Sequence, residues 1–267
     1  MTWQPIEHQA RIIRNRRLNP QTCVLTLAAP AIAAAARPGQ FVNLACDRFL
    51  RRPIGIMQAD GAAGTIMVGI RVQGAGTSWL AERQPGEVLS VLGPLGHGFE
   101  LAGCRRIITV GGGTGVFPLY AVQQYCCANQ IESVAVCGYR SRAESFLADE
   151  YAGLACRTLF ASDCGDMDVP GHAAGALEML LRDLPLVDGT VVLTCGPKVM
   201  MQAVAAIAAR HQLPCQVSLE ERMACGIGVC LVCACRIKAE NSGQPFTHQR
   251  CCVEGPVFPA EVVEWSI

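Results

Sequence analysis

The chain has 267 residues, 51% hydrophobic and 16% charged, with 22 residues of each sign and a formal net charge of zero. That length accommodates two or three domains with substantial cores, and the charge balance gives no reason to expect a nucleic-acid backbone or an anionic membrane surface as partner. No stretch approaches the ~20 apolar residues of a membrane span, the Ala-rich run 28–36 being interrupted by Pro30. Residues 1–17 are polar and basic without an apolar centre, so no secretory signal is expected. The 16 cysteines are therefore read as reduced thiols in a cytoplasmic protein.

Residues 1 to about 100 read as short strands, at 23–27, 40–45, 65–72 and 87–92. Between them stand Arg37-Pro38-Gly39, Asp60-Gly61 and Gln84-Pro85-Gly86, each supplying a turn-setting Pro or a permissive Gly. This pattern predicts an antiparallel barrel. After Gly103 the composition changes: a strand at 106–110 runs into Gly111-Gly112-Gly113-Thr114-Gly115, a helix at 116–128 and a second strand at 134–139. A further strand at 190–195 precedes a helix at 199–211, so the middle third reads as a parallel α/β domain. A small C-terminal module follows, with Asn241-Ser242-Gly243 as an exposed loop.

The module carries the most specific motif. Cys225, Cys230 and Cys233, with Cys252 further on, space four thiols as C-x4-C-x2-C…C, the plant-type iron-sulfur pattern. Three ligands within nine residues require a loop wrapped round the cluster, which suits Gly226 and Gly228 between the first two. Structural zinc is the rival, but it more often uses paired C-x2-C knuckles or mixed Cys/His ligands, and no His lies in this loop. Buried or disulfide-bonded cysteines are a third reading, poorly served by three thiols in one Gly-containing loop.

The other motifs are weaker one by one. The strand-to-helix run 111–115 suits a dinucleotide pyrophosphate, approached by backbone N–H groups at a helix start, yet lacks strict G-x-G-x-x-G and is also compatible with a tight turn. Cys195-Gly196-Pro197 repeats that logic at the end of another strand. Arg51-Arg52-Pro53-Ile54-Gly55-Ile56 is either a phosphate clamp or a solvated basic pair, and Gly74-Ala75-Gly76-Thr77 either a phosphate contact or a turn.

In this order the motifs resemble the ferredoxin-reductase superfamily and, within it, the electron-transfer subunits of type 1B dihydroorotate dehydrogenase. The likeness covers nearly the whole chain: residues 50–56 (LRRPIGI) are similar to the flavin motif, 93–99 (GPLGHGF) to the barrel exit, 111–120 (GGGTGVFPLY) and 195–201 (CGPKVMM) to the nicotinamide segments. Residues 218–230 (SLEERMACGIGVC) and 252–258 (CVEGPVF) are the most diagnostic, and the latter selects Cys252 over Cys251 as fourth ligand, leaving Cys235 and Cys251 as non-ligands. The resemblance implies an FAD barrel at 1–102, an NAD-binding α/β domain at 103–214 and a [2Fe-2S] module at 215–267. It implies FAD contacts from Arg52, Pro53, Ile54, Gly55, Ile70, Arg71, Val72, Gly76 and Thr77. NAD(H), an exchangeable substrate, would meet Gly111, Gly112, Gly113, Thr114, Gly115, Cys195, Gly196 and Pro197, with Gly55 and Cys195 near the flavin and nicotinamide and no residue assigned as catalytic. Gly55 stands where the family usually has a hydroxyl residue.

The chain shows no paired carboxylates and no Ser/His/Asp set for dehydrogenating a pyrimidine. The resemblance places that chemistry on an FMN-containing catalytic subunit, in a heterotetramer with two of each subunit that serves pyrimidine synthesis. It implies NADH, although Arg140 and Arg142 follow the second strand, near where a ribose 2′-phosphate would lie. Two alternatives stand beside it: a reductase subunit for another partner, of the sulfide dehydrogenase or ferredoxin:NADP oxidoreductase type, and a non-catalytic iron-sulfur sensor with a vestigial flavin fold.

Overall fold

The computed structural model describes residues 6–154, 157–239 and 244–265; the loop expected at Asn241-Ser242-Gly243 lies outside them. Six antiparallel strands close into a barrel: β1 (Ile6–Asn19), β2 (Thr22–Ala28), β3 (Phe41–Leu44), β4 (Arg52–Asp60), β5 (Thr65–Arg71) and β6 (Val88–Leu95), in the spatial order β1-β2-β5-β4-β3-β6. Leu25, Leu27, Val42, Ile66, Val68 and Val91 fill its interior. Two short helices, α1 (Pro30–Ala35) and α2 (Ala75–Ala81), sit in the connections.

Two of these strands are not visible as strands in the sequence. β1 carries four arginines, and among its described side chains only Ala10 and Ile12 are buried, so little alternation shows. β4 contains Pro53 and Gly55, residues that ordinarily disfavour a strand. Closure of the barrel supplies each with a partner on both sides, and the ladder outweighs local propensity.

The second unit runs β7 (Arg106–Gly112), α3 (Val116–Ala128), β8 (Glu132–Tyr139), α4 (Ala148–Ala152), β9 (Arg157–Ser162), β10 (Val169–Pro170), α5 (Ala173–Asp183), β11 (Thr190–Cys195), α6 (Lys198–Arg210) and β12 (Cys215–Ser218). After β12 come the cysteine loop and a hairpin, β13 (Ala234–Lys238) and β14 (Phe246–Arg250), before the chain returns as β15 (Val257–Pro259). The sheet order is β10-β9-β8-β7-β11-β12-β15, parallel except that β15 is antiparallel to β12. Strands on either side of the cysteine segment thus belong to one sheet, which seats that segment on the α/β unit. The chain leaves β7 in one direction across the sheet and later returns to its other flank with β11. Between β7 and β11 lies a topological switch point, where such sheets open a crevice at their carboxyl edge.

The barrel and the α/β unit meet through aromatic side chains. Phe117 lies flat on Gly69 of β5, where any Cβ would enter its ring, and it stacks on Phe146 with centroids 4.8 Å apart. Tyr139 meets Phe146 edge-on and donates its hydroxyl to the Phe146 carbonyl at 2.6 Å; Tyr151 donates to the carbonyl of Val116. Val24 and Met57 of the barrel complete this cluster. Ion pairs Arg16–Glu150 and Arg71–Glu144 (2.5 and 3.4 Å) close the seam at its margin. Among the described residues no helix is long and apolar enough to cross a membrane.

Candidate functional site

Two cavities flank the seam. The smaller, about 350 Å³, is walled by Arg52, Pro53, Ile54 and Gly55 of β4, by Gly69 and Arg71 of β5, by Thr114, Phe117 and Pro118 at the start of α3, and by Cys195, Leu219 and Glu220. Arg52 is anchored through Nη1 on the carbonyls of Leu50 (2.7 Å) and Arg51 (3.2 Å), and its guanidinium lies over Gly76, where a Cβ would stand 2.5 Å from Nε. Glycine at 76 is what permits this packing. Thr77 reaches the cavity but uses its hydroxyl on the turn: Oγ1 accepts from the N–H groups of Gln73 (2.9 Å) and Gly74 (3.1 Å) and donates to the Gly74 carbonyl (3.0 Å).

Strand alternation separates the expected trio Ile70, Arg71 and Val72. Gly69 and Arg71 face the cavity, whereas Ile70 and Val72 pack with the barrel core. At Gly55 a Cβ would rest 3.5 Å from Pro118, an ordinary contact, so the missing side chain is not imposed by space. An anchored guanidinium at one end and apolar walls at the other fit a flavin phosphate and ring system.

The larger cavity, about 750 Å³, opens at the carboxyl edge of the parallel strands and is lined by Gly112, Gly113, Tyr139, Arg140, Asp163 and Pro197, among others. Gly115 packs directly on the Cys195 carbonyl, so the two turns at 111–115 and 195–197 interlock, and Gly111 is buried behind them against Val116. Gly196 faces the backbone of Gly112. Arg71 lines both cavities and is paired with Glu144, which also lines the larger one. Arg140 borders this space. Arg142 does not: its backbone N–H donates to the Asp166 carboxylate (3.0 Å) and its Nε to the Asp166 carbonyl (2.9 Å). A crevice walled by backbone at a switch point suits a dinucleotide.

In the wall of the smaller cavity, Cys195 Sγ lies 4.0 Å from Glu220 Oε1. Burial, reinforced by the Glu220 charge, pushes the Cys195 thiol up. Glu220 is reached by solvent from the cavity mouth but is crowded by protein on its other sides, and this desolvation raises its carboxyl. The sequence reading did not single out Glu220 or Phe117; each stands inside a motif, and its role depends on contacts from another element.

The four expected cysteines come together in two pairs. The N–H of Cys225 points at Cys230 Sγ (3.5 Å), and those of Ile227 (3.5 Å) and Cys230 (3.4 Å) point at Cys225 Sγ. Burial would raise the Cys225 thiol, but the N–H groups of Ile227, Cys230 and Val229 and the Cys230 thiol outweigh it and hold it at about 6. Cys252 is pushed up to about 12, first by burial and then by its hydrogen bond with the Cys233 thiol. Cys251 turns elsewhere, donating to the Leu219 carbonyl at 3.4 Å, and Cys235 donates to the Gln249 carbonyl at 3.3 Å. Arg250, paired with Glu254, also donates to the Gly228 carbonyl at 3.1 Å. Among the described residues no three His, Cys, Asp or Glu side chains close on the point a single metal ion would occupy. Two thiol pairs side by side are the donor set a two-iron cluster takes, so the residues fit that group. Around them Ile227, Val229, Leu231 and Val232 are exposed, Val229 by 76%.

An arginine-walled barrel cavity, a Gly-rich turn at the switch point of a parallel sheet and a four-cysteine segment seated on that sheet define a ferredoxin-reductase-type flavin and nicotinamide oxidoreductase with an iron-sulfur module. Residues 220–264 match the family described as the iron-sulfur cluster binding domain of dihydroorotate dehydrogenase B. The chain is 36% identical to proteins of Geobacillus thermodenitrificans and Bacillus caldolyticus, each named dihydroorotate dehydrogenase B (NAD(+)), electron transfer subunit, with 94% of this chain and 96% of each relative covered. A solved NADH-dependent reduced ferredoxin-NADP oxidoreductase, studied for flavin-based electron bifurcation, superposes with a TM-score of 0.85 at 25% identity, covering 99% of this chain and 92% of that one. The chain belongs to the family of electron transfer subunits of dihydroorotate dehydrogenase B.

Proposed function

We propose that this chain carries electrons between an FMN-containing dihydroorotate dehydrogenase catalytic subunit and NAD, as its partner in a cytoplasmic heterotetramer with two of each subunit. In that assembly dihydroorotate is oxidised to orotate for pyrimidine synthesis. The observation that carries this reading is the relationship over 94% of the chain, together with the two thiol pairs. The proposed organisation is an FAD barrel at 1–102, an NAD-binding domain at 103–214 and a [2Fe-2S] module at 215–267. When bound, a nicotinamide exchanges electrons in pairs, an iron-sulfur cluster one at a time, and a flavin handles both.

The protein's own residues supply position. Arg52 and the turn at Gly76-Thr77 hold the flavin phosphates at the polar end of the smaller cavity, with Pro53, Ile54 and Gly55 along it and Arg71 at the junction. Gly112, Gly113 and Pro197 bring backbone to the nicotinamide side, Gly111, Gly115 and Gly196 let the two turns pack behind them, and Thr114 borders the flavin cavity. Cys195 and Glu220 line the flavin cavity, and Phe117 closes it on the side of the seam. Cys225, Cys230, Cys233 and Cys252 are the cluster ligands, and the exposed Ile227, Val229, Leu231 and Val232 form an apolar rim on which the catalytic subunit docks.

A type 1B catalytic subunit mixed with this chain should reduce NAD+ at the expense of dihydroorotate, and omission of either protein should abolish that coupled reaction. The structural likeness to the ferredoxin-NADP oxidoreductase favours a second reading, a reductase subunit serving a different partner. No coupling with dihydroorotate, but ferredoxin-linked NADP(H) turnover with an added partner, would select it.

NADH is the proposed nicotinamide, because Arg142 is engaged by Asp166, and Arg140 shares the wall of the larger cavity with Asp163 and Glu144. A 2′-phosphate there meets negative charge as well as positive. The isolated chain, assayed with an artificial acceptor, should show a higher kcat/KM for NADH than for NADPH, by about tenfold or more if the difference reaches ~1.4 kcal/mol. A preference for NADPH that collapses in Arg140→Ala would reverse the assignment.

A further inference from the structure

Asn43 is a barrel residue whose side chain ends in the cysteine loop. It lies on β3, is fully buried, and donates from Nδ2 to the Cys225 carbonyl at 3.3 Å. Gly226, at φ +71°, comes so near that a Cβ there would stand 2.6 Å from Nδ2. The loop backbone is therefore pressed onto this amide, in a conformation that favours glycine. The Asn43 backbone is held from the other side: Arg51 Nη1 donates to the carbonyls of Asn43 and Ser90, each at 3.3 Å, while Nη2 reaches Glu7 (2.7 Å) and Ser90 Oγ (2.9 Å). In the ladder Asn43 is opposite Pro53, the neighbour of Arg52. One residue thus joins the strand pair that borders the flavin cavity to the first cysteine of the cluster motif.

Asn43 Oδ1 is buried without a hydrogen-bond partner among the described residues. An unpaired amide oxygen in such a place is destabilising, and an apolar residue of the same shape would avoid the loss. The loop above it contains backbone N–H groups, those of Ile227 and Cys230, that are presently directed at Cys225 Sγ. Fixing the Cys225-Gly226 backbone on the Asn43 amide keeps those N–H groups in place on Cys225 Sγ.

We infer that Asn43 is a positioning residue for the iron-sulfur cluster: its amide fixes the Cys225-Gly226 backbone against the barrel and so keeps the Ile227 and Cys230 N–H groups directed at the first ligand sulfur. The inference rests on the reading of Cys225, Cys230, Cys233 and Cys252 as ligands. Loop N–H groups held toward cluster sulfur favour the reduced, more negative state, so a slackened loop lowers the reduction potential.

The test uses the full chain with Asn43→Leu, which keeps the shape and loses both polar atoms, and Asn43→Asp, which keeps an acceptor and loses the donor. Iron and sulfide content, the electron paramagnetic resonance spectrum of the reduced cluster, its midpoint potential, iron loss to a chelator and FAD content are measured. Iron loss should quicken about tenfold in Asn43→Leu, as expected for one lost buried hydrogen bond, with a shifted spectrum, a lower potential and unchanged FAD. Asn43→Asp, which preserves size and polarity, should show the same direction and decides the matter if Asn43→Leu does not fold. Gly226→Ala should impair the cluster, and Asn43→Ala in the same chain should recover part of that loss, because the Cβ then has room. Wild-type spectrum, potential and chelation rate in both Asn43 variants would overturn the inference, as would loss of FAD with an unaltered cluster. A wild-type protein without two irons and two sulfides would instead sink the ligand reading itself.

Discussion

Cys252→Ser is expected to reduce the iron content from two per chain to well below one, while Cys251→Ser retains two irons and an unaltered cluster spectrum. The two residues are adjacent, and the backbone lets only one thiol face the other three cysteines. Cys252 lies near enough to the Cys233 thiol for that neighbour to raise its own pKa. Cys251 is fixed facing the opposite way: its N–H donates to the Cys233 carbonyl at 2.9 Å and its Sγ to the Leu219 carbonyl at 3.4 Å. Serine at 252 offers a harder oxygen donor in place of a thiolate, which weakens binding to iron-sulfur cores. At 251 the same change alters only one weak hydrogen bond, a cost of about 1 kcal/mol in stability. Iron and acid-labile sulfide analysis of protein purified without oxygen, with visible and electron paramagnetic resonance spectra, reads both outcomes. Cluster loss in Cys251→Ser alone would transfer the ligand to that residue, and stoichiometric zinc in the wild type would end the iron-sulfur assignment.

Arg52→Ala should weaken FAD binding by about 10- to 100-fold, the range that follows from losing a charge-assisted hydrogen bond of ~1.5–3 kcal/mol. Its guanidinium is anchored by backbone carbonyls and presented at the cavity wall, so little ordering remains to be done when a phosphate arrives. Gly76→Val should have a similar effect without touching the charge, because the new side chain would occupy the space taken by Arg52 Nε and Nη2. Flavin released on dilution, followed by the recovery of free FAD fluorescence, measures both variants against the wild type. Protein isolated from cells with FMN, or with no flavin and no uptake of FAD, would refute the barrel assignment.

The legible parts of the fold are those with strong local signals. β7 carries an apolar Ile107-Ile108 and Val110 and runs into glycines, and helix α3 follows it, so this βα unit could be read directly. β9 and α5 were not expected: β9 is only partly buried, and α5 begins behind Gly171 and a capping His172 that accepts from the Gly175 N–H at 3.1 Å. Histidine is an uncommon helix cap, so no start signal stood out. Gly74-Ala75-Gly76-Thr77, open between a phosphate contact and a plain turn, is the first turn of α2, with Thr77 bonding back to Gly74. The resemblance implies flavin contacts from Ile70, Arg71 and Val72 together, but a strand sends neighbouring side chains to opposite faces, and of the three side chains only that of Arg71 borders the cavity.

By itself, the sequence determined the chemical types of the sites: thiols at cluster spacing, glycine where backbone must approach a ligand, and an Arg-Pro motif at the start of a strand. These depend on residue identity and short-range spacing, which the chain carries locally. Only the tertiary structure decided that β15 returns beside β12 to seat the cysteine loop on the α/β sheet, that Phe117 lies on Gly69 to close the domain seam, that Glu220 faces Cys195, and that Asn43 reaches Cys225 from 182 residues away. Such contacts arise from strand pairing and close packing between distant segments, and nothing in either segment alone encodes its partner.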